Sequence, residues 1–412
     1  MIRPLDVVVL GAGVIGVTTA YALAKRGLSV AIVDRRTGPG YETSYANGAQ
    51  LSYAYTDALA SPALLRKLPF LVTMGDPAID LKLTADPAFI KWGLHFLRNC
   101  TGGRFKANTL AALELAMESR LALHTLLARH PLDFAYEAAG KLHLYYDDKG
   151  LPAADEVRKL KGRSGVIQYM MTPAEARAIE PALESVSGIA GAIYTPDDEV
   201  GDPHAFCMNL LQVLVDEYGV QTHFGFEAAA LESRHGLVRI QNGQNDEISA
   251  RRVAICLGIG APRFLGQIGI RVPIWPMKGY SFTAPHGVAA PRISITDTAR
   301  KIVLCNLGGQ MRVAGIAQLG NWNNDVDPVQ LHRLIHKAQS AFPDAARYDK
   351  AYMTWAGLRP MSPRSLPIIS EPRPDIFLNV GHGMLGWTFA MGAAERTANL
   401  IMNENLESLN EE

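Results

Sequence analysis

Apolar residues follow two rhythms along this chain. Asp6 to Leu10 is an unbroken, largely β-branched run, as in a strand buried on both faces. Val14 to Lys25 has helical spacing and stops at Gly27, and Ser29 to Val33 is a second buried run that ends at Asp34. Together these predict a strand–helix–strand unit. From Ser52 to Lys161 the pattern changes. Helical stretches are expected at Ala63–Met74, Pro87–Asn99 and Ala107–His130, and Gly140–Tyr146 alternates like a strand. This reads as an inserted, partly helical second domain. A crossover helix at Phe206–Tyr218, a strand at Val220–Phe224, a hairpin arm at Leu237–Gly243 and a buried run at Arg251–Ala261 return to the first domain. Antiparallel-type strands follow at Pro273–Pro285, Lys301–Asn306 and Gln310–Gly320, with a helix near Val329–Ala341. The end of the chain, Asn379 to Ile401, repeats its beginning: a short strand, a turn with Gly381, Gly383 and Gly386, then a helix. Asn403–Glu412 reads as a solvated acidic tail.

A chain of 412 residues exceeds one ordinary core, so two connected domains are expected. Lys+Arg and Asp+Glu balance at 40 each, which excludes broad electrostatic capture of nucleic acid. Cys100, Cys207, Cys256 and Cys305 are far apart and have no metal-ligand spacing; no metal site is expected, and Cys256 reads as core. There is no signal-peptide pattern and no apolar run of the roughly 18 residues that a spanning helix needs. The expectation is a cytoplasmic protein, with peripheral attachment to the inner face of the cell membrane as the alternative.

Gly11, Gly13, Val14, Ile15 and Gly16 fall in a G-x-G-x-x-G turn. The motif alone is weak. Here it follows a strand, opens a helix and precedes an acid at the end of the next strand, which makes it a dinucleotide signature. Gly11 permits the tight turn, Gly13 lets a pyrophosphate approach the backbone, and Gly16 lets helix and strand pack closely. The helix start attracts phosphate charge. Asp34 would accept hydrogen bonds from an adenosine ribose, with Arg35 beside it. This does not separate FAD from NAD.

The loop Tyr41–Ser52, "YETSYANGAQLS", begins to do so. It is rich in hydroxyls, amides and small residues, so it can lie along a long cofactor, with Thr43 and Ser44 near phosphate and Asn47, Gly48, Ala49 and Gln50 near a ring. The second glycine turn favours FAD further. A helix starting near Gly386, preceded by Gly383, Met384 and Leu385 and continuing with Trp387 and Thr388, aims free N–H groups at its target. The pyrimidine edge of a flavin becomes negative on reduction and suits such a place. One turn would hold the pyrophosphate and the other the redox ring.

The segments "VVVLGAGVIG", "ETSYANGAQLS", "FLRNCT", "PMKGYS", "TWAGLRPMSP" and "GHGMLGWTFAMG" carry a specific resemblance. The chain resembles the D-amino acid dehydrogenase family, within the wider group of D-amino acid oxidase, glycine oxidase and sarcosine oxidase flavoproteins. The resemblance implies an α/β fold: a Rossmann-like FAD-binding domain from 1–52, 188–270 and 356–412, and an interleaved substrate domain from 53–187 and 271–355 on a mainly antiparallel sheet with added helices. It implies non-covalent FAD, since no cysteine lies near the C-terminal motifs, and adds Ala228, Leu257, Gly258 and Gly357 to the residues expected around it. It implies oxidative deamination of D-amino acids to 2-oxo acids and ammonia, with hydride passing from Cα to flavin N5 and electrons onward to a quinone or other acceptor. Arg359 of "GLRP" matches the arginine that pairs with the substrate carboxylate, a role suited to its forked guanidinium. Tyr280 could present its hydroxyl to the same carboxylate. Tyr53 and Tyr55 could wall the substrate pocket, and His382 invites a general-base reading against a structural one. Two departures stand out: the family's loop usually reads Ala-Gly where this chain has Gly48-Ala49, and Asp-Gly where it has Arg364-Ser365.

Other readings stay open at the level of sequence. The same fold could oxidise a secondary amine such as D-hydroxyproline, proline or sarcosine, or use oxygen as an oxidase. An NAD-dependent dehydrogenase and a non-catalytic flavin-binding module are the remaining classes. The segment Ala58–Leu97 mixes large apolar residues with Lys67, Lys82 and Lys91, and Arg98 follows. It reads as substrate-domain core or as an amphipathic surface for a membrane.

Overall fold

The computed structural model describes residues 5–73, 79–147, 150–234 and 236–402. The expected acidic tail, and Met74 at the end of the first predicted helix of the insertion, lie outside these residues. The opening unit forms as the apolar pattern requires: β1 (Leu5–Leu10), α1 (Val14–Ala24) and β2 (Val30–Asp34). β1 is central, parallel to β2 on one side and to the strand Glu247–Ile255 on the other. Gln221–Phe224 extends the parallel sheet beyond β2, and Ile376–Val380 lies beyond Glu247–Ile255. An antiparallel hairpin of Ala228–Arg234 and Leu237–Asn242 is carried on the first half of Glu247–Ile255.

One face of this sheet is covered by α1, the helices Pro203–Tyr218 and Gly386–Met402, and α4 (Gly102–Arg129), which share a single core. The packing is close. A Cβ on Gly392 would lie 2.7 Å from the backbone oxygen of Leu115 in α4. Thr18 of α1 donates to the carbonyl of Ala390 at 3.1 Å, and Glu395 pairs with Lys25 and Arg26. The two termini are thus clamped together, which brings the two glycine turns to the same edge of one sheet.

The second sheet has nine strands among the described residues and is mainly antiparallel. Its order is Tyr352–Met361, Trp275–Pro285, Gln310–Leu319, Ile302–Leu307, Ser294–Asp297, β5 (Lys141–Tyr145), Gly191–Thr195 and Tyr169–Met171, with β4 (Ile79–Leu81) beside Gln310–Leu319. The helix Pro328–Ala341 covers one face over an apolar core. Before this sheet lie β3 (Gln50–Leu51), α2 (Pro62–Thr73) and α3 (Pro87–Asn99).

Sheet membership moves two expected boundaries. Gly191–Thr195 pairs with β5, and Tyr352–Met361 lies wholly in the second sheet, so those boundaries fall after Thr195 and Met361 rather than at 188 and 356. Both strands alternate too weakly for sequence to say which sheet they join. The helices Gly150–Gly162 and Pro173–Ile179 were not anticipated either; the first is short on apolar residues and the second is only seven long.

Candidate functional site

A cavity of about 1190 Å³ runs between the two sheets, above the range of roughly 300–1,000 Å³ usual for small-molecule pockets. At one end is the first glycine turn. Gly11 has φ 103°, and a Cβ there would sit 2.6 Å from the carbonyl oxygen of Cys256. Only glycine fits. Gly16 does not line the cavity; a Cβ on it would lie 1.7 Å from the Gly11 oxygen, so it serves the close helix–strand contact expected of it. Asp34 accepts from the backbone N–H of Ala12 at 2.7 Å and of Arg36 at 2.8 Å. Burial pushes its carboxyl up despite these bonds. Gly13, Val14, Ile15, Asp34 and Arg35 all line the cavity, with Ala228, Leu257 and Gly258 opposite.

The loop after β2 crosses from this end to the second sheet. Ser44 Oγ accepts from the Val14 N–H at 3.0 Å, and the Thr43 hydroxyl donates to the Leu358 carbonyl at 3.0 Å. The Ser281 hydroxyl donates to the Ala46 carbonyl, and Cys305 Sγ to that of Gly48. Gln50 Nε2 donates to Ser294 Oγ at 2.7 Å. Asn47, Gly48, Ala49 and Gln50 line the cavity as expected. Ala49 takes φ 58°, the left-handed region, at the place where the resembling family has glycine.

At the second turn, Gly383, Met384, Leu385, Gly386 and Trp387 line the cavity at the start of the helix Gly386–Met402. Thr388 does not; its hydroxyl oxygen accepts from the Ser52 N–H at 3.0 Å and pins the loop. His382 is buried, and its Nε2 has no hydrogen-bond partner. Burial drives its pKa down to about 3, so the ring is neutral at pH 7. A ring that acidic is a poor acceptor for a proton from an ammonium group, which argues against the base reading, while the unpartnered Nε2 makes none of the structural hydrogen bonds of the other.

Arg359 lies in the cavity wall on Tyr352–Met361, opposite Met277 of the neighbouring strand. Its guanidinium lies over Gly279, where a Cβ would come within 2.2 Å of Nη2. Its one hydrogen bond is a long one, 3.5 Å, to the Ile316 carbonyl. Desolvation is the sole influence on it and pulls its pKa down to about 10. No carboxylate among the described residues offsets this charge, which leaves the guanidinium fork open to an anionic group. Around it the wall is apolar: Leu59, Leu64, Phe89, Trp92, Phe96, Met277 and Leu319 form one cluster and also line the cavity. Trp92 Nε1 donates to the Met361 carbonyl at 2.8 Å, tying α3 to the strand of Arg359.

Three expected residues stand elsewhere. Tyr280 is fully buried and donates to Gln318 Oε1 at 2.8 Å. Strand alternation turns it away from Met277 and into the core beneath Pro328–Ala341, so it does not line the cavity. Tyr53 donates to Glu199 Oε2 at 2.8 Å from within the first domain's core. Gly357 makes room for the indole of Trp355, whose ring would lie 2.0 Å from a Cβ there. Tyr55 does line the cavity, with its ring 4.2 Å from that of His143. Sequence reasoning missed Lys141, Thr296, Met277 and the α3 wall. Lys141, Met277 and the α3 wall sit on correctly anticipated elements, but which face looks inward depends on the partner strand or helix; Thr296 lies on Ser294–Asp297, a four-residue strand that was not anticipated. Arg364 and Ser365 are not in the lining: Arg364 donates to Asn108 Oδ1 at 3.3 Å, and Ser365 Oγ accepts from the Leu59 N–H at 3.0 Å.

A dinucleotide cradle leading into an apolar chamber with an uncompensated arginine defines a redox enzyme that uses an extended nucleotide cofactor. The family model described as FAD dependent oxidoreductase, DAO, matches residues 6–400, and the chain belongs to that family. It is 38% identical over 409 residues, 96% of each chain, to "D-amino acid dehydrogenase 2" of Ralstonia nicotianae. It is 38% identical over 402 residues to "D-amino acid dehydrogenase" of Paramagnetospirillum magneticum, covering 96% of this chain and 95% of that one. Its fold matches that of glycine oxidase from Geobacillus kaustophilus with a TM-score of 0.77 at 19% identity, over 98% and 96% of the two chains. The cofactor is FAD. The residues fit it: glycine alone is tolerated at Gly11, Asp34 is placed for a ribose, and the buried Asn379 Oδ1 and His382 Nε2, in residues that line the cavity, await partners.

Proposed function

We propose that this chain oxidises D-amino acids to 2-oxo acids and ammonia, with Arg359 holding the substrate carboxylate. The state of Arg359 carries the reading: a guanidinium deep in an apolar chamber with no acid beside it. The names of the curated relatives support the D series. A bidentate contact would fix the carboxylate and restrict the substrate to a narrow range of orientations. The wall from Leu59 to Phe96 would exclude water and favour the neutral amine, the form that can be oxidised. FAD, when bound, supplies the two-electron acceptor for this chemistry. Removal of two electrons and two protons from the substrate gives an imino acid, which water converts to the 2-oxo acid and ammonia.

Arg359→Ala should raise KM for amino acids by about two orders of magnitude, since truncating one partner of a buried charge pair costs roughly 2–5 kcal/mol. The bound-flavin spectrum should not change. Anaerobic reduction of the flavin by paired D- and L-amino acids tests the reading directly. Bleaching by L-amino acids alone, or by none, would overturn it, as would unchanged kinetics in Arg359→Ala.

The electrons are proposed to leave to a quinone or another carrier at a membrane surface. In support, Leu83 and Leu97 both line the cavity and stand exposed, with Lys82, Lys91 and Arg98 around them. Peroxide formed in step with turnover would refute this part.

A further inference from the structure

Lys141 opens β5 in the middle of the second sheet, paired with Ser294 on one side and Thr195 on the other. It is only 2% exposed and lines the cavity. A buried lysine is expensive unless it is paired or has a task. Its Nζ donates to Gln50 Oε1 at 2.9 Å and to Ser52 Oγ at 2.6 Å. Both acceptors are neutral, and both belong to the segment that follows Asn47–Ala49. Asp198 and Asp57 are near enough to favour the charged lysine, but neither hydrogen-bonds it. Asp57 pairs with Lys161 at 2.8 Å. Asp198 accepts from the Ala54 N–H through Oδ1, and its Oδ2 has no hydrogen-bond partner, so it does not bond Lys141. The ammonium therefore brings charge to the cavity wall without a carboxylate in contact.

Substrate does not explain this charge. Arg359 lies on the first strand of the sheet and Lys141 on the sixth. Five strand spacings of about 4.8 Å lie between their backbones, up to roughly 24 Å along the sheet, so the two cations belong to different parts of the cavity wall. What shares the wall with Lys141 is the loop expected to cradle the redox ring.

We propose that Lys141 is a positioning and charge-supplying residue for the flavin, holding the Gln50–Ser52 segment in place and favouring the reduced, more negative form of the ring. A fixed positive charge in a water-poor site stabilises negative charge that develops nearby more than it would in water. Burial lowers the lysine's pKa to about 8, so it remains mostly protonated at pH 7. The inference rests on the FAD assignment and not on the identity of the amino acid.

The test is the two-electron midpoint potential of the holoenzyme, measured with redox dyes in the absence of substrate, alongside the dissociation constant for FAD. Lys141→Gln keeps a donor and removes the charge; Lys141→Arg keeps the charge. The expectation for Lys141→Gln is at least a tenfold shift of the equilibrium toward oxidised flavin, which for two electrons is about 30 mV in the negative direction. Lys141→Arg should recover most of it. A purely structural lysine predicts weaker FAD binding in both variants with no charge-dependent change in potential. Equal potentials in wild type and Lys141→Gln, or equal shifts in Gln and Arg variants, would overturn the proposal. Since no amino acid enters the measurement, failure here leaves the D-amino acid reading to its own test.

Discussion

Ala49 and Ser365 both adopt left-handed backbone, with φ 58° and 60°. Each stands where the resembling family has glycine. The left-handed region costs a residue with a Cβ about 1–2 kcal/mol, part of which glycine gives back in unfolded-state entropy. Ala49→Gly should therefore stabilise the protein by about 0.5–1 kcal/mol. The Asn47 Oδ1 bond to residue 49 and the Gly201 bond to its carbonyl use backbone atoms and survive. Ser365→Gly should gain nothing, because it deletes the Ser365 acceptor of the Leu59 N–H and such a bond contributes about 1 kcal/mol. Denaturant midpoints of the two holoenzymes check the contrast; an Ala49→Gly midpoint at or below wild type would refute the strain argument. The departure at Arg364-Ser365 thus bears on substrate only through Leu59, whose backbone Ser365 holds and whose side chain joins the apolar wall.

Whether an element was legible depended on whether its signal was local. α1 and α3 begin at a glycine turn and an Asp-Pro, and their spans match the apolar spacing. The first turn was equally plain, because Gly11 and Gly16 act through backbone geometry and the Asp34 carboxylate bonds the Ala12 N–H, all within about 30 residues of one another. Arg359 came through resemblance. Tyr280 misled because alternation gives two faces and sequence does not say which one meets the cavity. Lys141 left no signal: "KLHLY" reads as an ordinary half-polar strand, and its burial comes from strands that lie far off in sequence. Gly16→Ala places a methyl 1.7 Å from the Gly11 oxygen, a backbone atom that cannot swing aside. Helix and turn must separate, at a cost of roughly 1–3 kcal/mol or more. The variant should lose FAD on gel filtration, read as flavin absorbance per protein. Retention of wild-type flavin content would show that the turn tolerates the shift.

For the whole molecule, the distribution of charge matters more than its total. The chain is neutral overall, with 40 basic and 40 acidic residues. Yet α2 and α3 present Leu65, Phe70, Ile90, Leu94 and Leu97 to the outside, beside exposed Arg66, Lys67, Lys91 and Arg98. No helix of the described residues is long and apolar enough to cross a membrane, so any contact through this face is peripheral. A basic residue near an anionic bilayer is worth about 1 kcal/mol, and four together give roughly a thousandfold gain in binding that salt weakens. The apolar side chains add a part that salt does not remove. The holoenzyme should therefore sediment with vesicles containing anionic phospholipid more than with zwitterionic ones, and keep a fraction bound at high salt. Ile90→Glu combined with Leu94→Glu should abolish the salt-resistant fraction while leaving flavin content intact, because both side chains point outward from α3 and neither lines the cavity. Equal binding to both vesicle types, or no binding at low salt, would remove the membrane from the account and leave the exposed Leu83 and Leu97 as the rim of an aqueous entrance.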